Sequence, residues 1–191
     1  MPSTRYDAVA IGLHWLIALG ILALIAIGLT MTHMDLGPMA KFRLYQLHKS
    51  IGITMLFAMV LRVLWRLIRR PPPLPDAMPP LERTAAEGAH AALYAFLFFL
   101  PLTGWALVSA SPFNIPTVLY GVIPWPHLPV LSTLEDKAPV EHVLKLVHGY
   151  AAWLLIALVL VHAGAALRHH FILRDGILRR MLPAISRKTQ S

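Results

Sequence analysis

The alternation of long apolar stretches with short polar ones predicts four membrane-spanning helices. The first span covers residues 8–34, which contain no acidic side chain and no Lys or Arg. At about 1.5 Å per residue this is more than enough helix to cross a hydrocarbon core of about 30 Å. Similar stretches predict further spans at approximately 47–68, 88–110 and 146–168. We therefore predict an all-α membrane protein in which residues 1–191 form one four-transmembrane-helix bundle.

Proline-rich connectors separate the later spans. Six prolines between residues 71 and 80 are incompatible with a regular helix and predict a semi-rigid extended connector. A second stretch, Ser111 to Pro139, has prolines on both sides of Trp125 and predicts a loop at the membrane interface. Pro101 lies inside the third span, where a membrane helix tolerates a kink.

Basic residues are distributed unequally between the two sides of the predicted membrane. Four spans place both termini and the 71–80 connector on one side, which carries twelve of the 17 Lys and Arg residues. These are Arg5, Arg62, Arg66, Arg69, Arg70, Arg83, Arg168, Arg174, Arg179, Arg180, Arg187 and Lys188. The positive-inside rule then predicts that both termini are cytoplasmic. Because the basic residues flank apolar segments, the net charge of +8 does not indicate nucleic-acid binding.

Composition supports the membrane interpretation and narrows the chemistry. Hydrophobic residues make up 57% of the chain and charged residues 14%, against about 45–50% and about 25% in soluble domains. The sequence contains no cysteine, which excludes disulfides, iron–sulfur clusters, thiolate metal sites and cysteine catalysis. The ten histidines are therefore the remaining strong ligands for a transition metal.

Four histidines lie in the spans at depths that match in pairs. His148 and His162 are 14 residues apart, which is about 3.9 helical turns, so they share one face about 21 Å apart. His14 lies near the cytoplasmic end of the first span, at the depth of His162, and His48 opens the second span at the depth of His148. Two such pairs suit two b hemes with bis-histidine iron ligation inside a bundle. Interhelical hydrogen bonds or a polar cavity are the alternatives for these side chains.

Three further residues are candidates for the cofactor environment. Arg62 lies 14 residues after His48, on the same face of the second span, and Arg66 continues this stripe. Their guanidinium groups could bind heme propionates, or could serve only as snorkelling anchors at the membrane surface. His90 has Tyr94 one turn away on its face and could serve a propionate or a quinone, or bond another helix. It is not predicted to bind iron, because both histidine pairs are complete.

These features resemble the bacterial cytochrome b561 family of four-helix diheme membrane cytochromes. The matching elements are His14-Trp15-Leu16, His48, His90 to Tyr94, Leu100-Pro101 to Gly104, His148 to His162, and His169-His170-Phe171. The resemblance covers nearly the whole chain. It implies that His14 and His162 bind one heme b, that His48 and His148 bind the other, and that the chain exchanges electrons with ubiquinone. It also implies the activity of a superoxide oxidase, a superoxide:ubiquinone oxidoreductase that uses periplasmic superoxide.

That activity gives a role to charged residues at the outer side and to a histidine at the inner side. Lys41, Arg43 and Lys49 precede or begin the second span and could concentrate superoxide by their positive field. Ordinary interfacial anchoring is the alternative for these cations. His169 lies seven residues after His162, on the same face at the cytoplasmic interface. It could hydrogen-bond a quinone or supply its proton, or simply face lipid phosphates.

Two other functions fit the same pattern. The first is a membrane-anchor cytochrome b subunit that passes electrons between quinone and a partner dehydrogenase or reductase. The second is a heme-free membrane scaffold or transporter. A redox protein that copurifies would favour the anchor subunit, and a colourless protein would favour the scaffold.

Overall fold

The computed structural model describes residues 5–75 and 78–183. Its elements are α1 (Ala8–His33), α2 (Pro38–Ile68), α3 (Pro80–Ser109), β1 (Thr117–Leu119), β2 (Ile123–Trp125), α4 (Pro129–Ser132) and α5 (Ala138–Arg168). A π-helical turn over His169–Leu173 prolongs α5, and a 3₁₀ turn covers Leu178–Met181. The described part of the chain contains four helices that are long and apolar enough to cross a membrane. The predicted fold class, a four-helix membrane bundle, is thus confirmed.

The long helices begin where local capping chemistry allows, and three of them begin before the predicted spans. The Asp7 side chain accepts hydrogen bonds from the backbone N–H groups of Val9 and Ala10, at 3.0 Å each, and so caps α1. In α2, α3 and α5 a proline occupies the first turn, where its missing N–H is not needed. The 31 residues of α2 extend over about 46 Å. These helices therefore extend beyond the apolar stretches from which the spans were predicted.

Neighbouring helices pack in chain order around an apolar core. Extensive contacts join α1 to α2, α2 to α3, and α3 to α5. The buried core residues come from all four helices and are Ile17, Ile21, Met55, Ala58, Met59, Leu93 and Leu155. Among the described residues, no comparably extensive backbone contact joins α5 to α1 or to α2. A gap between these backbones is therefore left for side chains or a ligand to fill.

The described chain ends and the proline connector lie at the same end of the bundle. Trp65 Nε1 donates to the Asp7 carboxylate at 3.0 Å, and Arg180 Nη1 donates to the Pro73 carbonyl at 2.7 Å. Arg168 and Glu82 form an ion pair at 3.2 Å. These contacts tie the start of α1, the connector and the segment after α5 together. Arg187 and Lys188, which the sequence assigns to this side, lie outside the described residues.

The predicted interfacial loop contains a small antiparallel hairpin at the opposite end of the bundle. Its register pairs Thr117 with Trp125, Val118 with Pro124, and Leu119 with Ile123. Tyr120 and Gly121 have φ angles of 53° and 74°, as a tight hairpin turn requires. The sequence predicted no strands here, because a proline in a short run argues against a strand except at an edge.

Candidate cofactor-binding site

The structure brings the four singled-out histidines together in two pairs. His14 on α1 and His162 on α5, the inner pair, have ring centroids 6.3 Å apart and planes inclined at 64°. His48 on α2 and His148 on α5, the outer pair, have centroids 6.4 Å apart and planes inclined at 72°. A metal bound to two imidazole nitrogens at about 2 Å each separates the ring centroids by about 6 Å. Both pairs therefore have the spacing of two axial ligands on one metal.

The backbone arrangement around the pairs suits a flat ligand. Each pair bridges α5 to a helix with which α5 lacks extensive backbone contact. The apolar core separates the two pairs, because buried Leu155 lies midway between His148 and His162 on α5. The outcome is two sites stacked along the bundle with an apolar layer between them.

The ligand count points to a metal that brings further ligands of its own. The residues that the structure describes include no group of three or more His, Asp or Glu side chains able to hold a metal ion. A bare transition metal in a protein site normally takes three or four protein ligands. Iron in a porphyrin already has four nitrogen ligands and needs only two axial ones. Two imidazole pairs thus fit heme better than a free metal ion.

Neighbouring groups prepare the outer pair for ligation. Thr103 Oγ1 lies 3.0 Å from the Leu100 carbonyl and 3.1 Å from His148 Nδ1. Because the single hydroxyl hydrogen is donated to the carbonyl, the hydroxyl oxygen accepts from His148 Nδ1–H. This tautomer leaves the lone pair of His148 Nε2 available for a metal. The buried Nδ1 of His48 has no hydrogen-bond partner among the described residues.

Glycines let helix backbones approach both imidazoles of the outer pair. A Cβ atom at Gly104 would lie 3.2 Å from His148 Cε1, and one at Gly28 would lie 3.6 Å from His48 Cε1. At Gly149, beside His148 in the sequence, an added Cβ would meet nothing within 4 Å. Sequence reasoning did not identify Thr103, Gly28 or Gly104 as neighbours of the histidines. These contacts cross between helices, and spacing within one helix carries no signal for them.

Charged groups and a third imidazole surround the inner pair. Arg62 Nη2 lies 3.4 Å from His14 Nδ1, and Arg62 Nε donates to the Tyr94 hydroxyl at 3.0 Å. The guanidinium carbon of Arg66 lies 5.6 Å from the centroid of the Tyr94 ring. The His90 ring centroid is 5.4 Å from that of His162. Since guanidinium groups bind carboxylates through paired hydrogen bonds, this end of the bundle can hold an acidic ligand group.

His169 lies at the end of α5 and is held by a residue that the sequence did not indicate. Its Nδ1 is 2.5 Å from Asp175 Oδ2, across a turn in which Arg174 has a φ angle of 54°. The backbone N–H of Ile177 donates to the other Asp175 oxygen at 3.1 Å. Partial burial raises the pKa of Asp175, but the hydrogen bonds from Ile177 and His169 outweigh it and bring the pKa below its ordinary value. The contact depends on an irregular turn, so no periodicity in the sequence predicts it.

The three outer cations are spread along the start of α2. Lys41 and Arg43 are exposed, and they precede His48 by about 10 Å and about 7 Å along the helix axis. Lys49 follows His48 directly and is half-buried. Of the three, Lys49 is thus the nearest to the outer pair along the helix.

A membrane-spanning helical bundle with stacked imidazole pairs in its interior is characteristic of integral membrane cytochromes of the b type. The family model described as prokaryotic cytochrome b561 matches residues 5–184, and the chain belongs to this family. The resemblance noted from the sequence is therefore confirmed. The protein is a multi-pass bacterial membrane protein of the oxidoreductase type that transfers electrons and carries b-type heme.

Three relatives align over most of their length. The chain is 36% identical over 179 residues to cytochrome b561 homolog 2 of Escherichia coli strain K12, covering 93% of this chain and 91% of the relative. It is 30% identical over 184 residues to a protein of Yersinia pestis named probable superoxide oxidase CybB, covering 94% and 96%. It is 29% identical over 185 residues to cytochrome b561 homolog 1 of Escherichia coli strain K12, covering 94% and 97%.

Proposed function

We propose that this protein binds two b hemes and carries electrons from superoxide, on the outer side of a bacterial inner membrane, to ubiquinone. The observation that carries the proposal is the meeting of four histidines as two pairs at two depths. Heme held by these histidines would supply reversible one-electron chemistry. The relative from Yersinia pestis, named probable superoxide oxidase, supports the choice of donor.

In this proposal His14 and His162 would hold one heme, and His48 and His148 would hold the other. His148 presents Nε2 because Thr103 accepts the hydrogen on Nδ1. At the inner pair Arg62 faces His14 Nδ1, and a metal on Nε2 requires a hydrogen on that same Nδ1. The guanidinium group of Arg62 must then turn away, which frees its donors for a propionate. Arg66 is placed to share this role, with His90 as a further hydrogen-bonding group for the propionate or the quinone.

The charge distribution supports the orientation. The sequence assigns twelve of the 17 Lys and Arg residues to the end where the described chain ends lie, and the positive-inside rule makes this end cytoplasmic. The His48 end then faces outward, where Lys41, Arg43 and Lys49 attract an anion. Two superoxide anions each lose one electron and leave as dioxygen, and ubiquinone gains two electrons and two protons to become ubiquinol.

His169 is placed to deliver protons at the inner end. The Asp175 carboxylate accepts from His169 Nδ1–H and so fixes the ring with Nε2 available. A proton taken up on Nε2 from the cytoplasmic side can then be donated to a quinone oxygen as electrons arrive.

The direct test of the ligand assignment is a heme count on the detergent-purified chain. A dithionite-reduced minus oxidised spectrum and a pyridine hemochromogen assay should give two low-spin b hemes per chain. His148→Ala should lose the outer heme and His14→Ala the inner one, and each variant should keep about one heme, since the remaining pair is intact. His142→Ala, at an exposed position near the start of α5, is the matched control and should keep both. Two hemes in either ligand variant would overturn the assignment, and a colourless chain after heme-replete expression would favour the scaffold or transporter.

The donor is tested separately. Pulses of superoxide should reduce the hemes of the purified protein within the stopped-flow time range, and superoxide dismutase should abolish this reduction. Added ubiquinone should then reoxidise the hemes. If the hemes are intact but superoxide does not reduce them, the membrane-anchor cytochrome subunit is the better assignment, and a copurifying dehydrogenase or reductase would identify its partner.

A further inference from the structure

The hairpin of β1 and β2 is attached to α2 by polar contacts. The Pro116 carbonyl accepts from Gln46 Nε2 at 2.9 Å. The Tyr120 backbone N–H donates to Ser50 Oγ at 2.9 Å, and the Tyr120 hydroxyl lies 2.7 Å from Thr54 Oγ1. Gln46, Ser50 and Thr54 are spaced four residues apart, so they form one face of α2. The hairpin therefore lies along this face of α2, from the level of the outer histidine pair to slightly nearer the middle of the helix.

The base of the hairpin continues onto a surface of α2 that must face lipid. The Trp125 ring packs edge-on against Phe57 at 5.9 Å, and it lies tilted by 56° against Trp105 of α3 at 5.5 Å. Phe57 is 54% exposed and lies in the uncharged stretch of α2 between Lys49 and Arg62. A large apolar side chain exposed at that depth contacts acyl chains. Trp125 is thus continuous with the lipid-facing surface of the bundle.

The free side of the hairpin is apolar. Val122 is 79% exposed and Ile123 is 56% exposed, whereas hydrogen bonds hold the opposite side of the hairpin to α2. In water a hairpin shows the reverse arrangement, with apolar side chains packed inward and polar ones outward. Polar contacts inside and apolar side chains outside suit a hydrocarbon environment.

The outer edge of β2 also lacks the donors that lipid would leave unsatisfied. Proline has no N–H, so Val118 and Pro124 form a non-hydrogen-bonded pair and the nitrogen of Pro124 points away from β1. Residue 126, two positions on, points the same way and is again proline. The carbonyl of Pro126 accepts from Trp105 Nε1 at 2.8 Å. An exposed strand edge is costly in hydrocarbon because of unpaired N–H groups, and this edge presents none at these two positions.

We propose that this hairpin is a lipid-inserted element, with Val122 and Ile123 among the acyl chains of the leaflet on the His48 side. It packs against α2 through Ser50 and Thr54 and against α3 through Trp105. The partner of this surface is lipid, because the surface is continuous with the lipid-facing side of α2. The proposal depends on the membrane-spanning fold and is independent of the identity of the electron donor.

The chain contains no cysteine, so single cysteines can report on the surroundings of the hairpin without removing native residues. We would label Val122→Cys with an NBD fluorophore and reconstitute the full-length, heme-loaded protein into phosphatidylethanolamine and phosphatidylglycerol vesicles. Glu135→Cys, exposed in the same loop, is the control for water. Leu160→Cys, at a position 67% exposed on α5, is the control for lipid.

Quenching by a lipid-borne nitroxide and by iodide on both sides of the vesicle decides the result. The label at position 122 should follow the one at 160, with lipid quenching severalfold stronger and iodide quenching severalfold weaker than at 135. Iodide quenching equal to that at 135 would place the hairpin in water and overturn the proposal. A label that neither quencher reaches would mean that protein covers the surface, which also overturns it. Ile123→Cys repeats the test if the first variant loses its heme spectrum.

Discussion

The two histidine pairs have nearly the same ring separation, 6.3 and 6.4 Å, but different surroundings. Uncharged groups orient the His148 ring of the outer pair: the Thr103 hydroxyl hydrogen-bonds to it, and the backbone of Gly104 lies against it. Charged and titratable groups lie beside the inner pair: Arg62 contacts His14, and the His90 ring packs beside His162. For the heme binding proposed here, the outer pair is thus already oriented, whereas the neighbours of the inner pair would have to rearrange.

In the proposed diheme protein, the difference in charge would favour one direction of electron transfer. A positive charge near a redox centre stabilises its reduced form relative to its oxidised form. Arg62 and Arg66 lie at the inner pair, with no carboxylate ion-paired to either of them among the described residues, whereas the single half-buried Lys49 follows His48 at the outer pair. The inner site should therefore have the higher reduction potential, which favours electron flow from the His48 end to the His14 end.

The largest expected effect comes from crowding the outer pair. Gly104→Ala would place a Cβ atom 3.2 Å from His148 Cε1, and a ring fixed by a metal and by Thr103 cannot easily yield. Overpacking of this kind costs about 1–3 kcal/mol, so outer heme affinity should fall by about tenfold while the inner heme is retained. Heme titration of the apoprotein measures this. Gly149→Ala, with open space around its Cβ, should have no effect, and unchanged binding in Gly104→Ala would show that the outer pair is pliable.

The next effect sharpens the electrostatic contrast. Arg62→Gln removes a positive charge beside His14 and should lower the potential of the inner heme by about 50–100 mV, from a Coulomb energy of about 1–2 kcal/mol. The outer heme should shift much less, because it lies farther away. Spectroelectrochemical titration separates the two values. Arg43→Gln, an exposed residue at the other end of the bundle, is the charge-matched control, and equal shifts of both hemes in Arg62→Gln would contradict a local effect.

The sequence predicts the inner site and the outer site unequally, for a physical reason. Hydrocarbon thickness and helical rise fix the depth of a residue within its own span, so the meeting of His14 with His162 and of His48 with His148 follows from spacing alone. Rotation of α3 about its axis is set by packing, and spacing does not reveal that Thr103 would face His148. Arg62 and Arg66, the neighbours of the inner pair, could be predicted from the sequence because they lie on the face of α2 that carries His48.

Irregular segments were the hardest to predict. Asp175 reaches His169 across a π-helical turn and a residue with positive φ, neither of which follows from a periodic pattern. The β1–β2 hairpin was predicted as a loop, and Pro124 weakens a strand prediction at this position. The nitrogen of Pro124 points to the outer edge of the hairpin. The same proline that weakens the strand prediction therefore leaves no unpaired N–H at this edge.

A smaller effect tests the pre-orientation of the outer pair. Thr103→Val keeps the side-chain volume but removes the acceptor of His148 Nδ1–H. A hydrogen bond donated by the ring nitrogen that does not bind the metal orients a metal-bound histidine and increases its basicity. Loss of this hydrogen bond should raise the reduction potential of the outer heme by a few tens of millivolts, about 1 kcal/mol or less. The reduction potential of the inner heme should not change. Thr103→Ser should restore the native value. An outer potential unchanged in Thr103→Val would mean that helix packing alone orients the ring.

The smallest expected effect concerns the approach of superoxide to the outer end. Lys49→Glu replaces the cation beside His48 with an anion, so the rate of heme reduction by superoxide should fall severalfold at low ionic strength. The difference from the native protein should shrink as salt rises, because the Debye length falls to about 8 Å at 0.15 M. Stopped-flow traces at several salt concentrations measure this. Arg179→Glu, an exposed change of equal charge at the inner end, should leave the rate unaltered. A slow rate that does not depend on salt would assign Lys49 to local structure at the outer pair and remove the argument for long-range attraction.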